Sequence, residues 1–339
     1  MSDPRLTAIR DLIQEDVGNR GLRTDPQENL VTACPGDFEA ACRSIAEHPS
    51  PAVGVVTGFF IPHSQPPAGE TDGPLGALFL ARALAPLGVR VVLATDAFAA
   101  RALEVGLEKC GLRQAVPLVT LPSPDVSALL STADYGRRFA DQAGPLTHLI
   151  ALERVGPSWT PEALQRRAGD AVAAAFLEAV PPEHHDRSHT MRGRDITASM
   201  SPAHWLFEGD GRPRGVTTVG IGDGGNEIGM GKVPWEVIRR NVPGGERVAC
   251  RTATDQLIVC GVSNWGAYGL AAGVRLLRGS GADAGLFDVE RKRELLRAMV
   301  EEGPLVDGFT GQPTVTVDGL AFERYAEPLR RLAELTAAT

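Results

Sequence analysis

No run of about 18 consecutive apolar residues occurs in the chain, so a membrane-spanning helix is not expected. Cysteine is scarce and unpatterned. The five thiols, Cys34, Cys42, Cys110, Cys250 and Cys260, are odd in number and form no CxxC pair. That argues against a disulfide framework and for reduced thiols in a cytoplasmic protein. Positive charge is also in deficit. With 34 Lys and Arg against 42 Asp and Glu, the formal net charge is −8. A general nucleic-acid binder needs a basic stripe that this balance does not supply. The start, MSDPRLTAIRDLIQEDV, lacks an apolar leader core. It reads instead as an amphipathic helix with Asp3 as N-cap and Pro4 at the first helical position.

Hydrophobic residues make up 43% of the chain, enough for a substantial core. They alternate in a regular order. AVGVVTGF (52–59), VRVVLAT (89–95), AVPLVTL (115–121), THLIALE (147–153), GVTTVGIG (215–222), ERVACRT (246–252) and DQLIVCG (255–261) read as strands. PLGALFLARALAPLG (74–88), DAFAARALEVGLEKCG (96–111, capped by Asp96) and NWGAYGLAAGVRLLRG (264–279, which Asn264 could cap) read as helices. The tail, DGLAFERYAEPLRRLAELTA, also reads as helical. Nearly continuous apolar strands alternating with helices predict an α/β fold, a mostly parallel doubly wound sheet with helices on both faces. No repeat and no clean linker divides the chain, which predicts a single domain over 1–339. Residues 156–200, rich in Pro, His and Arg, are the least regular and are expected to form an insertion or lid.

Open α/β sheets place ligands at the carboxyl ends of their strands. There the chain carries Gly58, GETDG with Thr71 and Asp72, Glu153, the run GIGDGGNEIGMGKV, and Asn264. Gly220, Gly222 and Gly225 satisfy GxGxxG, and Glu246 lies near the distance of a ribose-binding acid. However, Asp223 would face a pyrophosphate, and Gly229, Gly231 and Pro234 interrupt the helix the motif requires. GMGKV fails the P-loop template, with Asn226 in place of a glycine and Val233 in place of the hydroxyl. No nucleotide cofactor is therefore expected. Asp223, Asn226 and Glu227 supply hard oxygen ligands at a strand end, and their spacing fits a magnesium or manganese site or an ordinary capped turn equally well. Glu153, at the mouth of an apolar strand, needs a cation or an arginine partner. The start of the helix after Asp72 favours an anion: Asp72 itself as a cap, or a substrate carboxylate near Thr71. His185 and His189 are spaced four apart but outside any helical pattern, and are expected to be exposed.

The segments GVVTGFFIP, ETDGPLGALFLARAL, LERVG, MRGRDI, GIGDGGNEIGMGKV and CGVSNWGAYGL together resemble the D-glutamate cyclase family, across about residues 10 to 280. The resemblance implies conversion of D-glutamate to 5-oxo-D-proline and water, assisted by a divalent metal. It implies metal ligands at Glu153, Asp223 and Asn226, with Glu227 as the acid–base residue. Substrate contacts are implied at Gly58, Thr71, Asp72, Gly224, Gly225, Asn264 and an arginine such as Arg192 or Arg194. The expected partner is a small amino acid, with no nucleic acid and no membrane; a homo-oligomer is compatible with the sequence. DRSHTMRG departs from the family pattern, with His189 where a tyrosine is expected and a long stretch before it. Other divalent-metal chemistry, such as phosphoester hydrolysis, and non-catalytic amino-acid binding are the rival readings.

Overall fold

A computed structural model describes residues 3–280 and 285–337. Its centre is a six-stranded parallel sheet: β1 (Ala52–Thr57), β2 (Arg90–Thr95), β3 (Leu118–Thr120), β4 (His148–Leu152), β5 (Thr217–Gly222) and β6 (Gln256–Val259). The spatial order is β3-β2-β1-β4-β5-β6, the doubly wound order whose switch point lies between β1 and β4. Side chains alternate across the sheet. Val53, Val55, Ile150 and Leu152 face one core with the helices Pro4–Ile13, Asp37–Glu47, Pro74–Leu84 and Ser263–Leu277. Val56, Leu149 and Ala151 face another, with Tyr135 and Phe139 of the helix Thr132–Ala143. Burial on both faces explains why the strands read as continuous apolar runs.

Register aligns the strand ends. Thr57 pairs with Leu152, and Leu152 with Ile221. Gly58, Glu153 and Gly222 therefore leave the sheet side by side, at the switch point. Among the described residues no helix is long and apolar enough to cross a membrane.

Several local expectations change. ERVACRT is not a strand: Gly245–Val248 forms a short helix after the left-handed Gly244, and Cys250 makes only an isolated bridge with Ser158. Asp96 occupies the N-cap position of Ala97–Lys109 without a capping bond, because its carboxylate pairs with the buried Arg154 and accepts from the Ser201 N–H. Within 156–200 the chain forms two helices, Pro161–Ala168 and Asp170–Ala179, before its irregular stretch. Asp318-Gly319 does not begin a helix. Both residues have positive φ (56° and 75°) and turn a two-stranded hairpin, Thr316–Val317 against Leu320–Ala321. The helices Phe322–Tyr325 and Glu327–Thr336 follow it.

Candidate active site

The glycine-dense run after β5 folds back on the strand it leaves. Ile228 N–H donates to the Arg154 carbonyl (2.8 Å) and Gly156 N–H to the Asn226 carbonyl (3.0 Å), so the run pairs with the segment after β4. The close approach needs glycine. A Cβ on Gly220 would lie 2.6 Å from Gly229 Cα, and one on Gly222 would lie 2.8 Å from the Glu227 carboxyl carbon. No helix opens at this turn, since Trp235–Asn241 is the next one. The geometry of a dinucleotide fingerprint is thus not met.

Glu227 organises the turn. One carboxylate oxygen accepts from the N–H groups of Asp223 (2.8 Å) and Gly224 (2.6 Å), and the other from Gly225 (2.7 Å). These are charge-assisted bonds in a site that is almost fully buried. The N–H groups of Gly224 and Gly225, expected to meet substrate, are taken by Glu227. Asn226 donates its amide to the His189 carbonyl (2.8 Å), leaving its buried Oδ1 without a partner. Glu153 leaves β4 with a left-handed φ of 44°, a conformation uncommon for a non-glycine residue. That turn seats its side chain against Gly73, where a Cβ would meet Glu153 Cβ at 2.9 Å.

Two groups of carboxylates share Asp223. Glu153, Asp223 and Glu227 offer oxygens within 4.8 Å of one another, as do Asp72, Asp223 and Asp318. Glu153 Oε2, Asp223 Oδ2 and Asp318 Oδ2 are buried without hydrogen-bond partners. Burial, then the charges of Asp223 and Glu227, pushes the Glu153 carboxyl well above its ordinary value. Burial likewise raises Asp223, although the Arg20 guanidinium pulls the other way. Burial also raises Glu70, followed by the charges of Asp318 and Asp72. Crowded, dry carboxylates with unused oxygens fit a hard cation, which oxygen donors of this kind hold.

Arg20 is the basic side chain that meets this cluster. It bridges Asp223 and, at 2.7 Å, Asp318. Neither Arg20 nor Asp318 was among the residues expected from sequence. Arg20 sits in the loop NRGLR, and Asp318 in VDG, at the start of a tail that read as helical from sequence. Arg192 and Arg194 lie elsewhere. Arg192 is exposed, donates to the Phe309 carbonyl (2.6 Å) and covers the Phe309 ring, while Arg194 donates to the Pro62 carbonyl (3.2 Å).

Asp72 and Asn264 cap each other's helices. Asn264 Oδ1 accepts from the N–H groups of Gly73 (3.0 Å) and Gly76 (2.6 Å), at the start of Pro74–Leu84. Asp72 accepts from Ser263 (2.9 Å) and Asn264 (2.7 Å), at the start of Ser263–Leu277. Thr71 donates its hydroxyl to the Thr316 carbonyl (2.9 Å), and the Gly58 carbonyl accepts from Arg154 (3.0 Å). His189 is fully buried rather than exposed. Its Nε2 lies 3.2 Å from His184 Nδ1, and His185 instead contacts the Val180 carbonyl, so the spacing of four does not form a metal pair.

D-glutamate cyclase, mitochondrial, from Homo sapiens is 28% identical over 359 residues, covering 98% of this chain and 52% of the human protein. The chain thus spans about half the length of that relative. A solved short-chain dehydrogenase/reductase from Serratia marcescens BCRC 10948 is 17% identical, covers 63% of this chain and 99% of its own, and has a TM-score of 0.25, too low to carry an argument. The model of the family described as D-glutamate cyclase-like, C-terminal, matches residues 9–333, and the chain belongs to that family.

Proposed function

We propose that this chain cyclises D-glutamate to 5-oxo-D-proline and water with the help of a divalent metal. The observation that carries the reading is the set of partnerless buried oxygens on Glu153, Asp223 and Asn226 at the switch point, in a chain of this family. Asp223, with the Asn226 amide oxygen and the fixed carboxylate of Glu227, would hold manganese or magnesium. The ion would supply Lewis acidity at the substrate's γ-carboxyl group.

The chain's residues supply the rest. The surplus of carboxylates attracts the substrate ammonium group and orients it toward Glu153. Holding that nitrogen against its own γ-carbon removes much of the entropic barrier to ring closure. The C–N bond forms and a carboxyl C–O bond breaks. The ammonium gives up two protons and the departing oxygen leaves as water, so no outside acid or reductant is needed. Glu153, with a free buried oxygen, suits the relay of those protons. Glu227 was expected in that role, but both of its oxygens accept backbone N–H bonds, which suits a fixed anion. The site excludes bulk water, since Glu153, Asp223, Asn226 and Glu227 are each at most 6% exposed.

Glu153→Gln and Asp223→Asn separate the roles. Glu153→Gln should keep metal affinity and lose turnover by about 10²-fold or more, the range for a general acid–base group. Asp223→Asn should lose both. Normal turnover from both variants would remove the site from the reaction.

A further inference from the structure

We infer that Arg20 is the site's built-in cation: it occupies the acidic cluster when no metal is bound and clamps a substrate carboxylate when one is. The inference rests on the metal-assisted reading above and assigns a specificity role to a residue that reading did not use.

The charges impose the problem. Glu153, Asp223, Glu227, Asp72 and Asp318 converge in a buried space. The guanidinium of Arg20 bridges Asp223 through one nitrogen and Asp318 through another. Among the described residues no other Lys or Arg makes a salt bridge to these carboxylates. Asp223 and Asp318 each use one oxygen on Arg20 and keep the second buried and partnerless. A divalent ion on Asp223 would place a second cation beside the guanidinium, competing for the same charge. Metal and Arg20 are therefore antagonists at Asp223.

The chain is built so that the side chain, not the backbone, answers this competition. Asp16 accepts N–H bonds from Arg20 (2.9 Å), Gly21 (3.1 Å) and Leu22 (3.0 Å), which pins the loop. Gly21, at φ 93°, lies so close to the Asn241 carbonyl that a Cβ would meet its oxygen at 2.2 Å. On this fixed base sits a long, flexible side chain. It is also the part of the ion pair nearest solvent, 23% exposed against 1% for Asp223. An incoming dicarboxylate would therefore meet Arg20 first. Such a substrate brings two negative groups to a cavity lined with negative groups. The metal answers one, and a planar guanidinium that binds carboxylate through two parallel N–H bonds answers the other.

Titration calorimetry of the chelator-treated chain with manganese chloride alone, comparing wild type, Arg20→Gln and Arg20→Lys, tests the antagonism. Arg20→Gln should bind manganese about tenfold more tightly, and Arg20→Lys, which keeps the charge, within about threefold of wild type. In turnover assays with D-glutamate, both variants should raise KM by about tenfold or more while kcat falls less. Circular dichroism confirms that each variant is folded. Unchanged or weaker manganese binding by a folded Arg20→Gln, or an unchanged KM in both variants, overturns the role of Arg20 and leaves the metal reading standing. No manganese binding by any of the three proteins overturns both, and so separates the two failures.

Discussion

Removal of the Asn264 side-chain oxygen tests whether this residue serves the fold or the substrate. In Asn264→Ala the N–H groups of Gly73 and Gly76 lose their shared acceptor. Gly73 N–H keeps a second acceptor, Asp72 Oδ1 at 3.0 Å, but neither helix has a side-chain capping bond from its own N-cap residue, Gly73 or Val262, so the Gly76 N–H is left without an acceptor. Loss of an Asn cap costs about 0.5–2 kcal/mol, and each buried N–H left unsatisfied about 1–3 kcal/mol before relaxation. The site is fully buried, so water cannot easily step in. With one buried N–H stranded, a loss of about 1–3 kcal/mol follows, measured as a lower urea midpoint at unchanged slope. Asp72→Ala should cost a similar amount by freeing Ser263 and Asn264. Because Asn264 N–H bonds Asp72 directly, the double variant should lose less than the sum of the two, with a coupling of about 0.5–3 kcal/mol. A folded Asn264→Ala within about 0.5 kcal/mol of wild type but with a raised KM would refute the cross-capping account and restore Asn264 to the substrate.

Three further outcomes are expected. Arg154→Met should destabilise by about 3–5 kcal/mol in urea unfolding, because it strands the buried Asp96 and frees the Gly58 and Ser201 carbonyls. Lys292 is fully buried, its Nζ lacks a hydrogen-bond partner, and burial pushes its amine well below the ordinary value; Lys292→Met should therefore raise the urea midpoint, by about 1–3 kcal/mol in stability, despite losing contact with the Phe79 and Tyr268 rings. His148 is pushed by burial from 6.5 to about 4, so its contribution is complete above pH 6.5 and is lost as pH falls toward 4, where only the unfolded chain takes the proton. Between pH 7.5 and 5, His148→Gln should lose less stability than wild type, by up to about 2 kcal/mol; parallel losses in the two proteins would contradict the assignment.

The sheet was legible because its strands are buried on both faces and flanked by glycine, proline and capping residues. The acids at the strand ends were legible for the same reason: LIALE and VGIGD carry no polar side chain until the sheet stops. What could not be read was long-range pairing. Asp72 and Asn264 each looked like a cap for the helix beside it, and each caps the other's, across 192 positions of sequence. Arg20 reaches Asp223 from a polar loop 203 positions away, where nothing local marks it. Gly220, Gly222 and Gly225 match the GxGxxG pattern of a phosphate-binding turn. Gly220 and Gly229 instead admit backbone against backbone, and Gly222 makes room for Glu227.

Proton NMR of the chelator-treated chain with D-glutamate, with and without manganese or magnesium and with L-glutamate in parallel, tests the central claim most directly. The account predicts metal-dependent growth of 5-oxoproline signals from the D-isomer, suppressed in Asp223→Asn. Folded protein that binds manganese yet forms no lactam from D-glutamate would contradict it.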